Sequence, residues 1–198
     1  MNDSELGTVY GALLCRVAAD ALRYGLDHNA APIIEAAGYP EPVRAPRATF
    51  VTLDENDELR GCIGSVTPHR PLVEDVAVNA YGAGFRDPRF APLSERSLRR
   101  LSVGISILGP FETLQCASEA DLIRQARTGE DGFVISANGH RGLFLPQVWE
   151  VLPNPRIFFE TLREKAGLPR HFWSPQLRIE RFAVTAIPKT PLAELAAV

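Results

Sequence analysis

The chain has 198 residues, 45% hydrophobic and 23% charged, with 15 Gly and 16 Pro. These are globular proportions, which excludes a disordered, collagenous or coiled-coil chain, and a chain of this length can bury a core without metal or disulfide staples. The formal net charge of −3, from 21 Lys+Arg against 24 Asp+Glu, argues against nucleic acid as a partner, because that calls for a concentrated basic face. The densest basic stretch, Arg96, Arg99 and Arg100, has acidic Glu95 beside it.

No apolar run approaches the roughly 18 residues of a membrane span. The opening Met1-Asn2-Asp3-Ser4-Glu5 is acidic where a secretion signal is basic. Three cysteines at wide spacing do not make a disulfide framework. The expectation is one cytoplasmic domain over residues 1–198, with no membrane partner.

Residues 4–24 form the clearest helix. Leu6, Val9, Tyr10, Leu13, Leu14, Val17, Ala18, Ala21 and Leu22 recur at helical spacing and make one apolar stripe. Asp3 or Ser4 is placed to cap it and Gly25 to end it; Cys15 lies beside the stripe as an inert thiol. Residues 25–47 hold Pro32, Pro40, Pro42 and Pro46 and read as a connector or small-lobe segment, with one short helical turn at 33–37.

Over 48–65, Phe50-Val51-Thr52-Leu53, the turn-rich Asp54-Glu55-Asn56-Asp57 and the return from Leu59 to Ser65 read as a β-hairpin. Pro71 suits the first turn of a helix that buries Leu72, Val73, Val76, Ala80 and Tyr81. A loop over 85–92 follows. Val103, Ile105 and Ile107 then alternate with Ser102, Gly104 and Ser106 as a half-buried strand.

Ser118-Glu119-Ala120-Asp121 resembles a capping box and opens a helix to about Arg127. A second hairpin spans 132–136 and 142–145 and turns at Asn138-Gly139. Asn154-Pro155 starts a helix with Phe158, Leu162 and Ala166 on its core side, stopped by Gly167 and Pro169. Residues 177–187 form a last strand.

The halves look alike. Phe50-Val51 and Arg60-Gly61-Cys62 recur as Phe133-Val134 and Arg141-Gly142-Leu143, and each hairpin precedes a helix and then a strand. The fold class is therefore α+β: a mainly antiparallel sheet with an internal hairpin–helix–strand duplication and a smaller lobe.

Several chemistries lack their motifs. Gly82-Ala83-Gly84 is not a dinucleotide fingerprint, and there is no phosphate loop, HExxH or CxxC. His28, His69, His140 and His171 are too scattered for a sequence-local metal site. Gly61-Cys62-Ile63-Gly64 is one residue short of a nucleophile elbow. No metal or cofactor is expected.

The remaining candidate is Leu59-Arg60-Gly61-Cys62-Ile63-Gly64-Ser65. In an extended strand Arg60 and Cys62 share a face, and a nearby guanidinium favours the reactive thiolate. Gly61 and Gly64 leave the backbone open to close approach by a ligand or another segment. In the second half the arginine and glycine remain, but the thiol is Leu143, which points to a job for one copy only. A buried cysteine beside strand glycines is also ordinary packing.

These residues resemble the signature of the AMMECR family, whose prokaryotic members are AmmeMemoRadiSam system protein A. Asp87-Pro88-Arg89-Phe90 before Pro92-Leu93, Leu145-Pro146-Gln147-Val148-Trp149 and Lys165-Ala166-Gly167-Leu168 are similar to further family blocks. The resemblance departs at Ala183-Val184-Thr185-Ala186-Ile187, where family members often carry an acidic residue. It implies a compact α+β protein with a repeated antiparallel sheet and a smaller lobe. It also implies association with a Memo-like protein and a radical S-adenosylmethionine protein, and it supplies no reaction.

Two function classes stand side by side. In the first, the protein is a small-molecule enzyme or enzyme subunit using the Cys62 thiol, with Arg60 as its electrostatic partner. Asp87 and Arg89, in a loop where functional residues concentrate, then line the substrate site with Gln147, Gly61 and Gly64. In the second, the same surface docks the two system partners without catalysis, and the Asp87–Arg89 pair merely fixes a turn.

Overall fold

The computed structural model describes residues 3–195, with side chains from residue 5 onward. In chain order the first half runs α1 (Asp3–His28), β1 (Ala48–Glu55), β2 (Glu58–Gly64), α2 (Leu72–Phe85), α3 (Glu95–Leu98) and β3 (Leu101–Leu108). It continues with β4 (Glu112–Leu114), α4 (Glu119–Gln125), β5 (Gly132–Ala137), β6 (His140–Phe144), α5 (Val148–Val151) and α6 (Pro155–Lys165). The last strands are β7 (Arg178–Phe182) and β8 (Val184–Pro191). Residues up to Leu108 together with those from Thr185 form one compact unit, and Gly109–Val184 form a second, smaller one.

In the first unit α1 buries Leu6, Leu14, Val17, Ala18, Ala21 and Leu22 as its periodicity requires, while Val9 falls off the stripe and stands exposed. The helix does not stop at Gly25. A side chain there would collide with the rings of Phe85 and Tyr81, so this glycine serves close packing against α2 rather than termination. The left-handed residue that ends α1 is Asn29, at φ 51°, whose N–H donates to the Gly25 carbonyl. Capping by Asp3 or Ser4 falls on side chains outside the described residues. The proline-rich segment carries 3-10 turns at Ala36–Gly38 and Glu41–Val43, and Val43 is buried.

The first sheet has the order β2-β1-β3-β8. Val51 and Leu53 of β1 and Val103, Ile105 and Ile107 of β3 join the core that α1 and α2 also build. The β1–β2 turn places Asn56 and Asp57 at φ 54° and 66°, the left-handed pair that a two-residue hairpin turn demands. The β1–β2 register slips once. Leu53 faces Gly61 and Asp54 faces Leu59, so Arg60 is an extra residue, a β-bulge.

The second sheet has the order β4-β7-β5-β6. Its core is aromatic: Phe133, Phe144, Trp149, Phe158 and Phe159 interlock, with Trp149 stacked 3.7 Å from Phe158. Trp149 Nε1 donates to the Asp131 carbonyl at 2.8 Å, which satisfies the one polar atom that burial of the indole would orphan. Asn154 caps α6 through Arg156 N–H and Ile157 N–H, and Gly167 at φ 79° ends it. Ser118 caps α4 through Asp121 N–H, but the Asp121 carboxylate accepts from Ala117 N–H, so the reciprocal half of the expected box is displaced by one residue. The expected strand over 177–187 is two strands, because β7 ends at Phe182 in the second sheet and β8 starts at Val184 in the first.

The duplication is plain in the strand orders. Each sheet contains a hairpin whose first strand also pairs with the strand that follows the next long helix: β2-β1-β3 in one, β6-β5-β7 in the other. The fourth strand is exchanged. β4 follows β3 in the chain yet joins the second sheet, and β8 follows β7 yet joins the first. Gly61 opposes Leu53 and Gly142 opposes Ile135, which makes Arg60 equivalent to Arg141 and Cys62 to Leu143. The same register corrects the match of Phe50 with Phe133. It sets Val51 against Phe133, so the sequence match of the first strands slips by one residue.

Candidate functional site

β2 is the edge strand of the first sheet, and an edge strand presents unpaired N–H and C=O groups. At Cys62 both are taken by the loop after α2. Asp87 Oδ2 accepts from Cys62 N–H at 2.9 Å, and the Arg89 guanidinium donates to the Cys62 carbonyl at 3.3 Å. Asp87 and Arg89 are themselves joined by a two-pronged ion pair, Nε to Oδ1 at 2.9 Å and Nη2 to Oδ2 at 2.7 Å, with Arg89 N–H also donating to Oδ1. The pair thus imitates a neighbouring strand for one residue, and fork-on-carboxylate geometry is the strong form of such contacts.

The electrostatics follow from that geometry. The Arg89 hydrogen bond, opposed by desolvation and aided by the Cys62 and Arg89 N–H donors, holds the Asp87 carboxyl far below the usual carboxylate range. The Arg89 guanidinium is correspondingly raised, chiefly by Asp87 and least by the charge of Cys62.

The Cys62 sulfur is half-buried and accepts from Thr52 Oγ1, its cross-strand neighbour, at 3.4 Å. Burial pushes Cys15 up against a partly compensating hydrogen bond from Thr190, and burial with the Asp121 charge pushes Cys116 up. All three cysteines are free.

Arg60 does not stand where strict alternation expects it. The bulge removes it from the period-two pattern, and its contacts are with Glu55 (Nε to Oε2, 3.7 Å), the Ala91 carbonyl (2.5 Å) and the Phe90 ring (5.8 Å). The cation hydrogen-bonded at Cys62 is Arg89, which also lies 5.4 Å from the Phe90 centroid. Arg60 and Cys62 therefore border the same loop through different contacts.

Gly61 and Gly64 are filled by the protein itself. A Cβ at Gly61 would lie 2.1 Å from the Ala83 carbonyl oxygen of α2, and one at Gly64 would lie 2.3 Å from the Phe50 ring. Another segment, not an open approach for a ligand, explains both. Gln147 stands in the second unit, at the N-terminal cap of α5. Among the described residues no group of three or more His, Cys, Asp and Glu side chains is placed to hold a metal ion. No described helix is long and apolar enough to cross a membrane.

A second polar group escaped the sequence reading. Asp75 of α2 is fully buried and accepts from Thr49 N–H (2.8 Å), Thr49 Oγ1 (2.7 Å), Ser65 Oγ (2.7 Å) and Asn79 Nδ2 (2.9 Å). Arg70 Nε approaches to 3.5 Å. The network ties the first turn of α2 to the start of β1 and to the residue that follows β2. Its signal was present: Asp75 and Asn79 sit four apart, on one helical face, inside a helix whose remaining charged residue is Glu74.

Comparison with known proteins agrees with this architecture. The AMMECR1 family model matches residues 15–187. A protein of Methanothermobacter thermautotrophicus is 38% identical over 149 residues, covering 72% of this chain and 76% of its own length. One from Aeropyrum pernix is 36% identical over 182 residues, covering 87% and 75%. The crystal structure of the uncharacterized protein PH0010 from Pyrococcus horikoshii superposes with a TM-score of 0.83 at 28% identity, over 91% of this chain and 95% of that one. With nearly its whole length matched in sequence and in fold, and with the duplicated sheet in place, the chain belongs to the AMMECR1 family.

Proposed function

We propose that this protein is a small-molecule enzyme, or a subunit of one, whose chemistry runs on the Cys62 thiol. The observation that supports this reading is the way the residue is held: its N–H, its carbonyl and its sulfur each meet a polar side chain, Asp87, Arg89 and Thr52. A cysteine that only fills space behaves as a small hydrophobe whose sulfur needs no such donor as Thr52. The chemistry is attack of the sulfur lone pair on an electrophilic carbon. An S–C bond forms, the thiol proton passes to water, and the displaced electron pair leaves with the departing group or moves onto a carbonyl oxygen. Arg89, hydrogen-bonded at the Cys62 carbonyl, takes the place of Arg60 as the electrostatic partner, and Asp87 orients it. In this reading the protein works alongside a Memo-like protein and a radical S-adenosylmethionine protein.

The test is alkylation at neutral pH, followed residue by residue by mass spectrometry. Cys62 is expected to label selectively and ahead of Cys15 and Cys116, and Thr52→Val is expected to slow it. Labelling of Cys62 as slow as that of Cys15 would sink the enzyme reading and leave the adaptor that docks those two partners.

A further inference from the structure

The loop that holds Cys62 also gathers cations. Arg60 and Arg89 share one aromatic partner, with guanidinium carbons 5.8 and 5.4 Å from the Phe90 centroid. Arg100 lies 4.0 Å from Glu55, the same carboxylate that Arg60 approaches at 3.7 Å. Arg60 and Arg100 thus share the Glu55 carboxylate, which has Glu58 across the hairpin, while Arg89 holds Asp87. Arg86, directly before Asp87, is stacked on Tyr81.

Arg60 uses Nη2 on Ala91 and Nε towards Glu55, while its Nη1 is buried with no partner. A desolvated guanidinium nitrogen without an acceptor is a costly arrangement that an anion relieves. Arg89 spends Nε and Nη2 on Asp87 and Cys62, yet its side chain stays 54% exposed. One edge of a pre-oriented fork is therefore presented beside the Cys62 backbone.

We infer that Arg89, backed by the field of Arg60 and seated on Phe90, is a receptor for an oxyanion, a carboxylate or phosphate group, carried by the molecule that meets Cys62. This rests on the thiol reading of the site and adds its substrate class: an anionic electrophile rather than a neutral one. Planar fork geometry suits either anion, and Asp87 keeps the fork fixed before the ligand arrives.

The experiment compares two alkylating reagents that differ in charge. Iodoacetate and iodoacetamide both transfer a two-carbon unit to sulfur with loss of iodide, but only the first is anionic. The ratio of their rates at Cys62 is expected to exceed that of free N-acetylcysteine by about tenfold, the lower end of what a focused field achieves. The ratio should fall when inorganic phosphate is added and fall to the free-thiol value in Arg89→Gln, whereas Arg89→Lys, which keeps the charge, should retain part of it. A ratio equal to that of N-acetylcysteine, or one indifferent to Arg89→Gln, overturns the receptor. If neither reagent labels Cys62, the thiol reading fails, and the receptor is judged by the thermal midpoint in inorganic phosphate. A rise in the wild type that is lost in Arg89→Gln supports it, and no rise overturns it.

Discussion

The first and second units build the same strand order from different chemistry. Gly61 and Gly142 hold equivalent places, and each lets an alanine near the end of the following helix, Ala83 or Ala166, reach the strand. Eight residues before those alanines the first unit has Asp75 and the second has Phe158, both fully buried. One is the centre of a four-donor network, the other the centre of an aromatic cluster. Next to the glycines stand Cys62 and Leu143. Arg60 is bulged and half-buried, while Arg141 sits in a regular ladder opposite Ser136 and is exposed.

The difference separates what the fold needs from what one copy adds. The glycine recurs because the helix must come close in both units. The second unit fills the place equivalent to Asp75 with an apolar ring, Phe158, whereas burying a carboxylate costs desolvation that only a full set of donors offsets. The thiol, the bulge and the buried carboxylate therefore answer to something other than the shared architecture, and all three lie in the first unit.

The sharpest way to break this comparison is at Asp75. Asp75→Ala leaves the Thr49, Ser65 and Asn79 donors without their acceptor and is expected to cost about 3–5 kcal/mol, read from urea midpoints at constant slope. A loss below about 1 kcal/mol would mean that the network contributes little to holding α2.

A smaller effect distinguishes the two glycines. Gly61→Ala drives a Cβ to 2.1 Å from a backbone carbonyl oxygen, whereas Gly142→Ala meets the Ala166 Cβ at 2.8 Å. Both substitutions overpack, at about 1–3 kcal/mol, with Gly61→Ala the more damaging because its overlap with backbone is the deeper. Equal losses would show that the helix in each unit gives way equally.

The smallest effect is confined to acid. Asp87 has its folded-state pKa depressed by Arg89, so its contribution is complete above the unfolded value of about 3.9 and is lost as pH falls below it. The stability gap between wild type and Asp87→Asn is therefore expected to be constant from pH 7 to 5 and to narrow by pH 3, measured by urea unfolding at each pH. A gap that widens in acid would contradict the ion pair.

What the sequence determined by itself is local. Both hairpins, the caps at Ser118 and Asn154, the stop at Gly167 and the apolar stripe of α1 are encoded in neighbouring residues, because turn chemistry and side-chain period act within a few positions. The AMMECR resemblance and the grouping of Arg60, Cys62, Asp87 and Arg89 also rest on short motifs. Tertiary structure decided the rest. Gly25 is helical because two aromatic rings from α2 need its space, and Arg60 leaves the strand alternation because β1 and β2 differ by one residue in register. β7 and β8 part at Ala183 because each finds its partners in a different sheet. Asp75 is tolerable only because residues as distant as Thr49 bring it donors. In each case the deciding atoms lie far along the chain, where no local pattern reaches them.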